Sequence, residues 1–460
     1  MKKVMLINPP TWDMISTNVP GITQRQAGYV PPLGLLYLAA YLSKFTSHAV
    51  SFLDSEAEEL TYTQIRWRIE HESPHIVGIT ALTFNYVSAL NVARIVKEIN
   101  PAIRVVMGGP HPSIYPEETL ISPYVDFVIT GEGEKIFTML ISQIEGGLPS
   151  KKILSQLSPI DELDSLPFPA RKLLKPECYR SILSQRRTRF TTIITSRGCP
   201  YRCSFCDRPR MWKGIRFRSA RNVVEEIAEC VGMGINEFHF YDDTFAVKDQ
   251  RVLDICEGIR ERNLHIHWHA RTRVDTVNSK LLKSMKNAGC KSIHYGIESA
   301  TPRILKILNK DISLQEAEQV VSATKALGIQ TLVYFIIGSP TETREEINHT
   351  IDYAIRLKAD YAHFSILIPF PATDLYCKGL EDGTIPNDYW KQFAEHPDSQ
   401  FKSPMWKGDM EGKDLVALYK AAYRKFYFRP FYVLQRLRSL HSVMEFLGLA
   451  RRSFELARWL

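Results

Sequence analysis

Residues 191–210 read TTIITSRGCPYRCSFCDRPR. A β-branched run, Thr191–Ser196, leads directly into three cysteines, Cys199, Cys203 and Cys206, spaced C-x3-C-x2-C. Three thiolates so placed can ligate three irons of a cubane cluster, since each iron takes one cysteine. The fourth iron then keeps an open position for a substrate or cofactor. Structural zinc takes four ligands, and no fourth Cys or His lies close by. A disulfide would leave one odd thiol. A [4Fe-4S] cluster is therefore the expected occupant. The other five of the eight cysteines, Cys178, Cys230, Cys256, Cys290 and Cys377, are scattered as free cysteines in cores are.

Downstream of the cysteines, apolar strand-like runs alternate with helical stretches. Strands are expected at Thr191–Ser196, Glu237–Tyr241, His265–His269, Lys291–Gly296, Thr331–Ile337 and His363–Ile368, with helices such as Ala220–Gly232 and Leu314–Ala326 between them. Six such units predict a partial (β/α)6 barrel over 188–375, with its active site at the carboxyl ends of the strands. Upstream, a second α/β series fills 1–146: strands at Val4–Ile7, Ala49–Leu53, Ile76–Thr80, Arg104–Met107 and Phe127–Ile129, helices such as Leu33–Lys44 and Val87–Ile99. Five strands with short loops fit a doubly wound, Rossmann-like or flavodoxin-like domain. The proline-bearing stretch 147–187 reads as a linker, and 376–460 as a helical C-terminal region.

Beyond the cysteines come YDDTF after the second barrel strand, GIESA after the fourth, IIGSPTET after the fifth and IPFPATDLY after the sixth. The cysteine spacing, with Phe205 just before the last thiol, resembles the signature of the radical S-adenosylmethionine (SAM) superfamily. With the N-terminal domain, the chain is similar to the cobalamin-binding radical SAM family, which includes methylases and the anaerobic Mg-protoporphyrin monomethyl ester cyclase. The resemblance covers roughly residues 1–375 and is most specific at the cysteines.

The resemblance implies a cluster on Cys199, Cys203 and Cys206 whose unique iron chelates the amino and carboxylate groups of SAM. It puts the backbone near Phe205 against the adenine, Asp242 or Asp243 at the SAM amino group, Glu298 at the ribose and Gly338 near the adenine. From the residues alone, the carboxylates could equally cap the following helices, and Gly338 before Pro340 could be only a turn.

In the N-terminal domain, ligands are expected at the carboxyl ends of the strands. These carry NPP (Asn8–Pro10), TALTFN (Thr80–Asn85), GGPHPS (Gly108–Ser113) and TGEGE (Thr130–Glu134). No G-x-G-x-x-G opens the first helix, which argues against a dinucleotide. The family likeness implies cobalamin, held by Asn8, Thr80, Thr83, Gly108, Gly109, His111, Gly131, Glu132 and Gly133. No D-x-H-x-x-G motif follows the first strand, leaving His111 as the other candidate lower cobalt ligand in these loops. The alternative is a domain that binds nothing and serves as a scaffold.

Strand alternation adds a reading that needs no family. In HIHWHA, His265, His267 and His269 share one face and Ile266, Trp268 and Ala270 the other. If the apolar face meets the helices, the histidines point into the barrel lumen, joined by His239, Tyr241, His294, Glu298, His363 and Ser365. A polar lumen of this kind suits hydrogen bonding to SAM or substrate. Partly solvated filler, or a metal site on the three histidines, are the rival readings.

The net charge of +8, from 58 basic and 50 acidic residues, is concentrated toward the C-terminus. Between Lys420 and Arg438 six basic residues and no acidic one interleave with Tyr423, Phe426, Tyr427, Phe428, Phe431 and Tyr432. A basic amphipathic helix packing on its own barrel is the plain expectation. A peripheral membrane contact, or a cap over a lipid-like substrate, is the other. No nucleic-acid motif is present, and the absence of a leader or an apolar span of membrane length predicts a cytoplasmic protein.

The expected activity is reductive cleavage of SAM to a 5′-deoxyadenosyl radical, with cobalamin carrying a methyl group to an unactivated carbon of a small-molecule or lipid-like substrate. An external donor such as flavodoxin or ferredoxin would supply electrons. Cyclisation, oxidation or rearrangement without methyl transfer is the alternative, and an iron–sulfur electron carrier or sensor a remote one. Methylthiotransferases are disfavoured because no cysteine precedes Cys178 to hold their second cluster.

Overall fold

Strand β1 (Lys3–Asn8) is buried along all but its first residue, as a strand covered on both faces must be. Around it forms a parallel sheet with β2 (Ala49–Asp54), β3 (Ile76–Thr80), β4 (Arg104–Gly108), β5 (Phe127–Thr130) and β6 (Ile153–Ser155), in the order β2-β1-β3-β4-β5-β6. Helices α1 (Leu33–Phe45), α2 (Tyr62–Glu72), α3 (Tyr86–Ile99) and α4 (Gly133–Gly146) connect the strands. The sixth strand corrects the sequence reading, which counted five and assigned 147–187 to a linker. Ile153–Ser155 is too short, and too polar around it, to announce itself. The winding reverses between β1 and β3, so the crevice expected to take a ligand lies at the ends of those two strands, beside Asn8 and Thr80.

The computed structural model describes residues 1–15, 28–147, 149, 151–155, 158–181, 189–212, 214–406, 412–438, 450–451, 453–454 and 457–460. They fall into two compact units. The first holds the sheet just described, within Tyr29–Arg180 and the start of the chain, together with Asn387–Ser403. Helix Tyr389–Glu395 packs there through Trp390 and Phe393, both buried. Part of the expected C-terminal region thus belongs to the first unit.

The second unit, Ser181–Pro386 with Pro404–Leu460, is the partial barrel. Its strands are β7 (Phe190–Ile193), β8 (Glu237–Phe240), β9 (His267–Thr272), β10 (Cys290–Glu298), β11 (Gln330–Ile337) and β12 (Tyr361–Ile366), all parallel and in sequential order. Helices α5 (Ala220–Gly232), α6 (Asp249–Glu261), α7 (Ser279–Asn287), α8 (Leu314–Ala326) and α9 (Arg344–Arg356) alternate with them. Phe238 and Phe240, Trp268 and Ala270, Ile293, Tyr295 and Ile297, Val333, Phe335 and Ile337 belong to one buried apolar core. Residues between them therefore face the lumen.

That alternation agrees with the sequence reading for His239, His269, His294, Glu298, His363 and Ser365. It fails for His265, which precedes the strand and is exposed; His267 opens the strand on the same face as His269 and is exposed at its amino end. The first barrel strand also ends early, at Ile193. Ser196–Gly198 instead pairs antiparallel with Ile215–Phe217, forming a ribbon around the cysteine loop.

At the C-terminal end, helix α10 (Gly412–Tyr427) buries Leu415, Leu418, Tyr419, Ala422, Tyr423 and Phe426. The Tyr423 and Tyr427 hydroxyls donate to the carbonyls of Phe364 and Ala362 on β12, at 3.2 and 2.7 Å. Tyr423, Phe426, Tyr427 and Tyr432 of the basic segment thus cover the barrel edge, whereas Phe428 and Phe431 are exposed. Residues 439–449 lie outside the described set. No helix among the described residues is long and apolar enough to cross a membrane.

After β11 the chain turns on Glu342, whose Oε2 accepts from the Gly338 and Ser339 amides at 2.7 and 3.0 Å. Burial pushes this carboxyl up to about 7, from an ordinary 4.5. The folded chain therefore holds the proton more tightly than the unfolded one. Stability present below the unfolded value is lost as pH rises through the folded one. Glu342→Gln should flatten that fall. Melting followed between about pH 5 and pH 8 should show a shallower decline in the variant than in the wild type.

Candidate functional site

The loop carrying Cys199, Cys203 and Cys206 follows the ribbon strand Ser196–Gly198. Gly198 has φ +89°, and a Cβ there would run into the Gly214 carbonyl oxygen. Only glycine turns the chain into the loop at that point. Inside the loop the Cys206 amide donates to the Cys203 carbonyl at 3.1 Å. Ser204 anchors it at both ends: its amide donates to Leu308 O at 3.0 Å, its hydroxyl to Ile307 O at 2.9 Å, and its carbonyl accepts from the Leu375 amide at 2.8 Å.

All three thiols are half-buried and unbridged. Burial pushes the Cys206 thiol up to about 12 and raises that of Cys203, which Lys310 and Arg273 draw partly back. Thiols raised in this way are poor free nucleophiles, which fits a role as metal ligands. Their neighbours went unnoticed in the sequence. Thr244 Oγ1 lies 3.6 Å from Cys199 Sγ, and an Arg273 nitrogen 3.9 Å from Cys203 Sγ. Arg273 is fixed by both Asp275 oxygens at 2.8 Å and lies over the Tyr201 ring. Strand alternation through RTR would have placed it on the lumen face, but nothing in the sequence pairs it with Cys203.

The two aspartates after β8 have separate environments. Asp242 is buried, and its Oδ1 accepts from the Thr195 amide at 3.1 Å, the Thr195 hydroxyl at 2.8 Å and the Ser196 hydroxyl. It ties the end of β8 to the chain entering the cysteine loop. Burial raises its pKa, against the pull of nearby Arg251. Asp243 keeps 29% of its side chain exposed and pairs with Arg208 at 3.1 Å. Of the two alternatives, Asp243 is the carboxylate open to a ligand, and Asp242 is a strut.

Glu298 ends β10 at a bulge with φ +71° and is buried against Lys310 Nζ at 3.1 Å. Lys310 lies in a loop twelve residues on, with no motif to mark it. Phe205 is half-buried in the cysteine loop. Gly338 is occupied through its amide by Glu342.

In the first unit the loop crests at the sheet's carboxyl end hold Thr80, Thr83, Gly108, Gly109, Gly131 and Gly133, none of them fully buried. Gly109 has φ +100°, and a Cβ would meet Thr80 Oγ1 at 2.8 Å and Ala81 O at 2.9 Å. Gly131 opens onto free space. Ser113 stitches two loops, donating to Gly109 O at 2.8 Å and accepting from the Gly131 amide at 3.0 Å. A surface of backbone and small side chains fits the flat face of a large ring system.

Three expected contacts are turned inward. Asn8 donates to Asp54 at 2.8 Å. The Glu132 carboxylate accepts from the Ile160 amide at 2.8 Å. His111 has no exposed surface. It is enclosed by Tyr86, Tyr115 and Phe393, at 4.0, 5.5 and 6.1 Å between ring centroids, and burial lowers its pKa to about 3. Its Nδ1 lies 3.3 Å from Thr83 Oγ1. The sequence could not foresee the enclosure, because the enclosing Phe393 comes from a segment far along the chain.

Asp242→Ala removes three hydrogen bonds from buried groups and should cost about 2–4 kcal/mol in denaturant unfolding, with loss of bound iron. Asp243→Ala should leave the unfolding midpoint nearly unchanged and weaken SAM binding about tenfold by equilibrium dialysis, consistent with loss of one charge-assisted contact.

The model of the radical SAM superfamily matches residues 193–354, and that of the B12 binding domain residues 21–141. The chain is 36% identical over 448 residues to an uncharacterized methyltransferase of Pyrococcus horikoshii, covering 93% of each protein. It is 29% identical over 423 residues to the anaerobic magnesium-protoporphyrin IX monomethyl ester cyclase of Rubrivivax gelatinosus, covering 87% of this chain and 74% of the cyclase. Its fold matches that of the cobalamin-dependent radical enzyme OxsB, solved with aqua-cobalamin and SAM bound: TM-score 0.73, 19% identity, 99% of this chain and 72% of that one. The chain belongs to the cobalamin-binding radical SAM family, whose members work with a [4Fe-4S] cluster, SAM and cobalamin.

Proposed function

We propose that the protein methylates an unactivated carbon of a small or lipid-like molecule. The observation that carries this reading is the Pyrococcus relative, described as a methyltransferase and aligned along 93% of both chains. When bound, the cluster supplies the electron that splits SAM into methionine and a 5′-deoxyadenosyl radical, and cobalamin carries the methyl group.

The chain's own residues do the rest. Cys199, Cys203 and Cys206 hold three irons and leave the fourth to SAM. Asp243, braced by Arg208, offers its carboxylate to the SAM amino group. Glu298, braced by Lys310, faces the ribose, while the Phe205 backbone and Gly338 flank the adenine. Thr80, Thr83, Gly108, Gly109, Gly131 and Gly133 receive cobalamin. The apolar shell around the lumen keeps water from a radical that would otherwise be quenched. Electrons come from an external flavodoxin or ferredoxin.

The cyclase relative favours a second reading, oxidation or cyclisation without methyl transfer. Protein reconstituted anaerobically with iron, sulfide and hydroxocobalamin, then given reductant and SAM, separates the two. Formation of both 5′-deoxyadenosine and S-adenosylhomocysteine, lost in the Cys199/Cys203/Cys206→Ala variant, is the expected result. 5′-Deoxyadenosine alone would favour the second reading. Neither product would overturn both.

A further inference from the structure

The alternation that buries Trp268 and Ala270 turns His269, Arg271 and Arg273 toward the barrel lumen. Two of the three are accounted for. His269 Nδ1 lies 2.7 Å from Ser292 Oγ, and Arg273 is held by Asp275. Arg271 is different. Its guanidinium lies 4.4 Å from the centroid of the Tyr241 ring and beside the hydroxyls of Tyr241 and Tyr334, and the residue is exposed to the lumen.

Among the described residues, no carboxylate pairs with it. Glu298 pairs with Lys310 at 3.1 Å and Asp243 with Arg208 at 3.1 Å, while the Glu237 carboxylate lies 3.5 Å from His269 and 3.8 Å from His239. Burial lowers the pKa of His294 and His363, and the charge on Arg271 adds to that effect. The result is a cation steadied by an aromatic face and two phenols, with a side open to a ligand. A guanidinium held flat presents the fork of donors that fits a carboxylate or phosphate.

We propose that Arg271, with Tyr241 and Tyr334, forms an anion subsite that takes a carboxylate or phosphate of the substrate. This rests on the radical SAM reading above and narrows its substrate class. The competing source of the same chemistry is the carboxylate of SAM. Arg273, not Arg271, stands 3.9 Å from Cys203 Sγ. Arg271 lies two residues further along the strand from the cysteine loop, about 6.6 Å away. Arg273 is thus the arginine beside the cluster thiols, and Arg271 is left for another group.

The test uses full-length reconstituted protein and methylphosphonate as the probe, read by the ³¹P line width. Saturable broadening in the wild type, at least about tenfold weaker in Arg271→Met, is expected. Arg271→Lys, which keeps the charge and loses the fork, should fall between. Arg221→Ala, on the outer surface, should bind like the wild type, and equal iron content certifies the fold of each variant. SAM affinity, measured in parallel by equilibrium dialysis, should change less than about twofold in Arg271→Met. No saturable broadening in the wild type, or equal broadening in wild type and Arg271→Met, overturns the subsite. A tenfold loss of SAM affinity overturns its assignment to the substrate. Failure of the wild type to cleave SAM would instead strike the radical SAM reading, and the phosphonate titration would still be readable.

Discussion

The buried carboxylate of Asp242 is the constraint on which the site depends. It gathers the Thr195 amide, the Thr195 hydroxyl and the Ser196 hydroxyl onto one oxygen. These bonds hold the chain where it leaves the first barrel strand after Ile193 and enters the ribbon that presents the cysteines. Burying a carboxylate is unfavourable, and the raised pKa is a measure of that. The cost is offset by hydrogen bonds and by Arg251, which also donates to the Thr195 carbonyl at 2.8 Å. Loss of the strut would leave buried donors unsatisfied beside the cluster loop, where small displacements matter most.

The strands serve two environments at once. One face supplies the continuous apolar core that holds α5 to α9 and α10 against the sheet. The other lines a lumen with histidines, tyrosines, arginine and a buried Glu298–Lys310 pair. A polar interior of this kind stabilises the fold poorly, because each ion must recover its lost hydration from a partner. Such an arrangement suits a site that must orient charged cofactor groups and exclude bulk water. The outer core carries the stability that the lumen does not.

How far the sequence was legible follows from the range of the interactions involved. The cysteine motif, both α/β series and the lumen face of β10 were readable, because period-two alternation and short spacing are local properties. Helices Ala220–Gly232 and Leu314–Ala326 were placed to the residue, each preceded by a serine whose side chain caps the first turn. The strut role of Asp242 was not readable, since an aspartate at a strand end looks the same whether it faces a ligand or its own backbone. The enclosure of His111 depends on Phe393, and the bracing of Glu298 on Lys310. Neither partner carries a motif. The sixth strand of the first sheet was lost in a polar stretch because three residues cannot display a period. His265 fell outside the lumen because the strand begins later, at His267, than the histidine pattern suggested.

The central claim is that exactly three protein thiolates hold a four-iron cluster and leave one iron open to SAM. Mössbauer spectroscopy of protein reconstituted with ⁵⁷Fe, recorded with and without SAM, tests it most directly. The account predicts that SAM shifts the parameters of one iron in four and leaves the other three unchanged. Four irons that stay equivalent when SAM is added would contradict it.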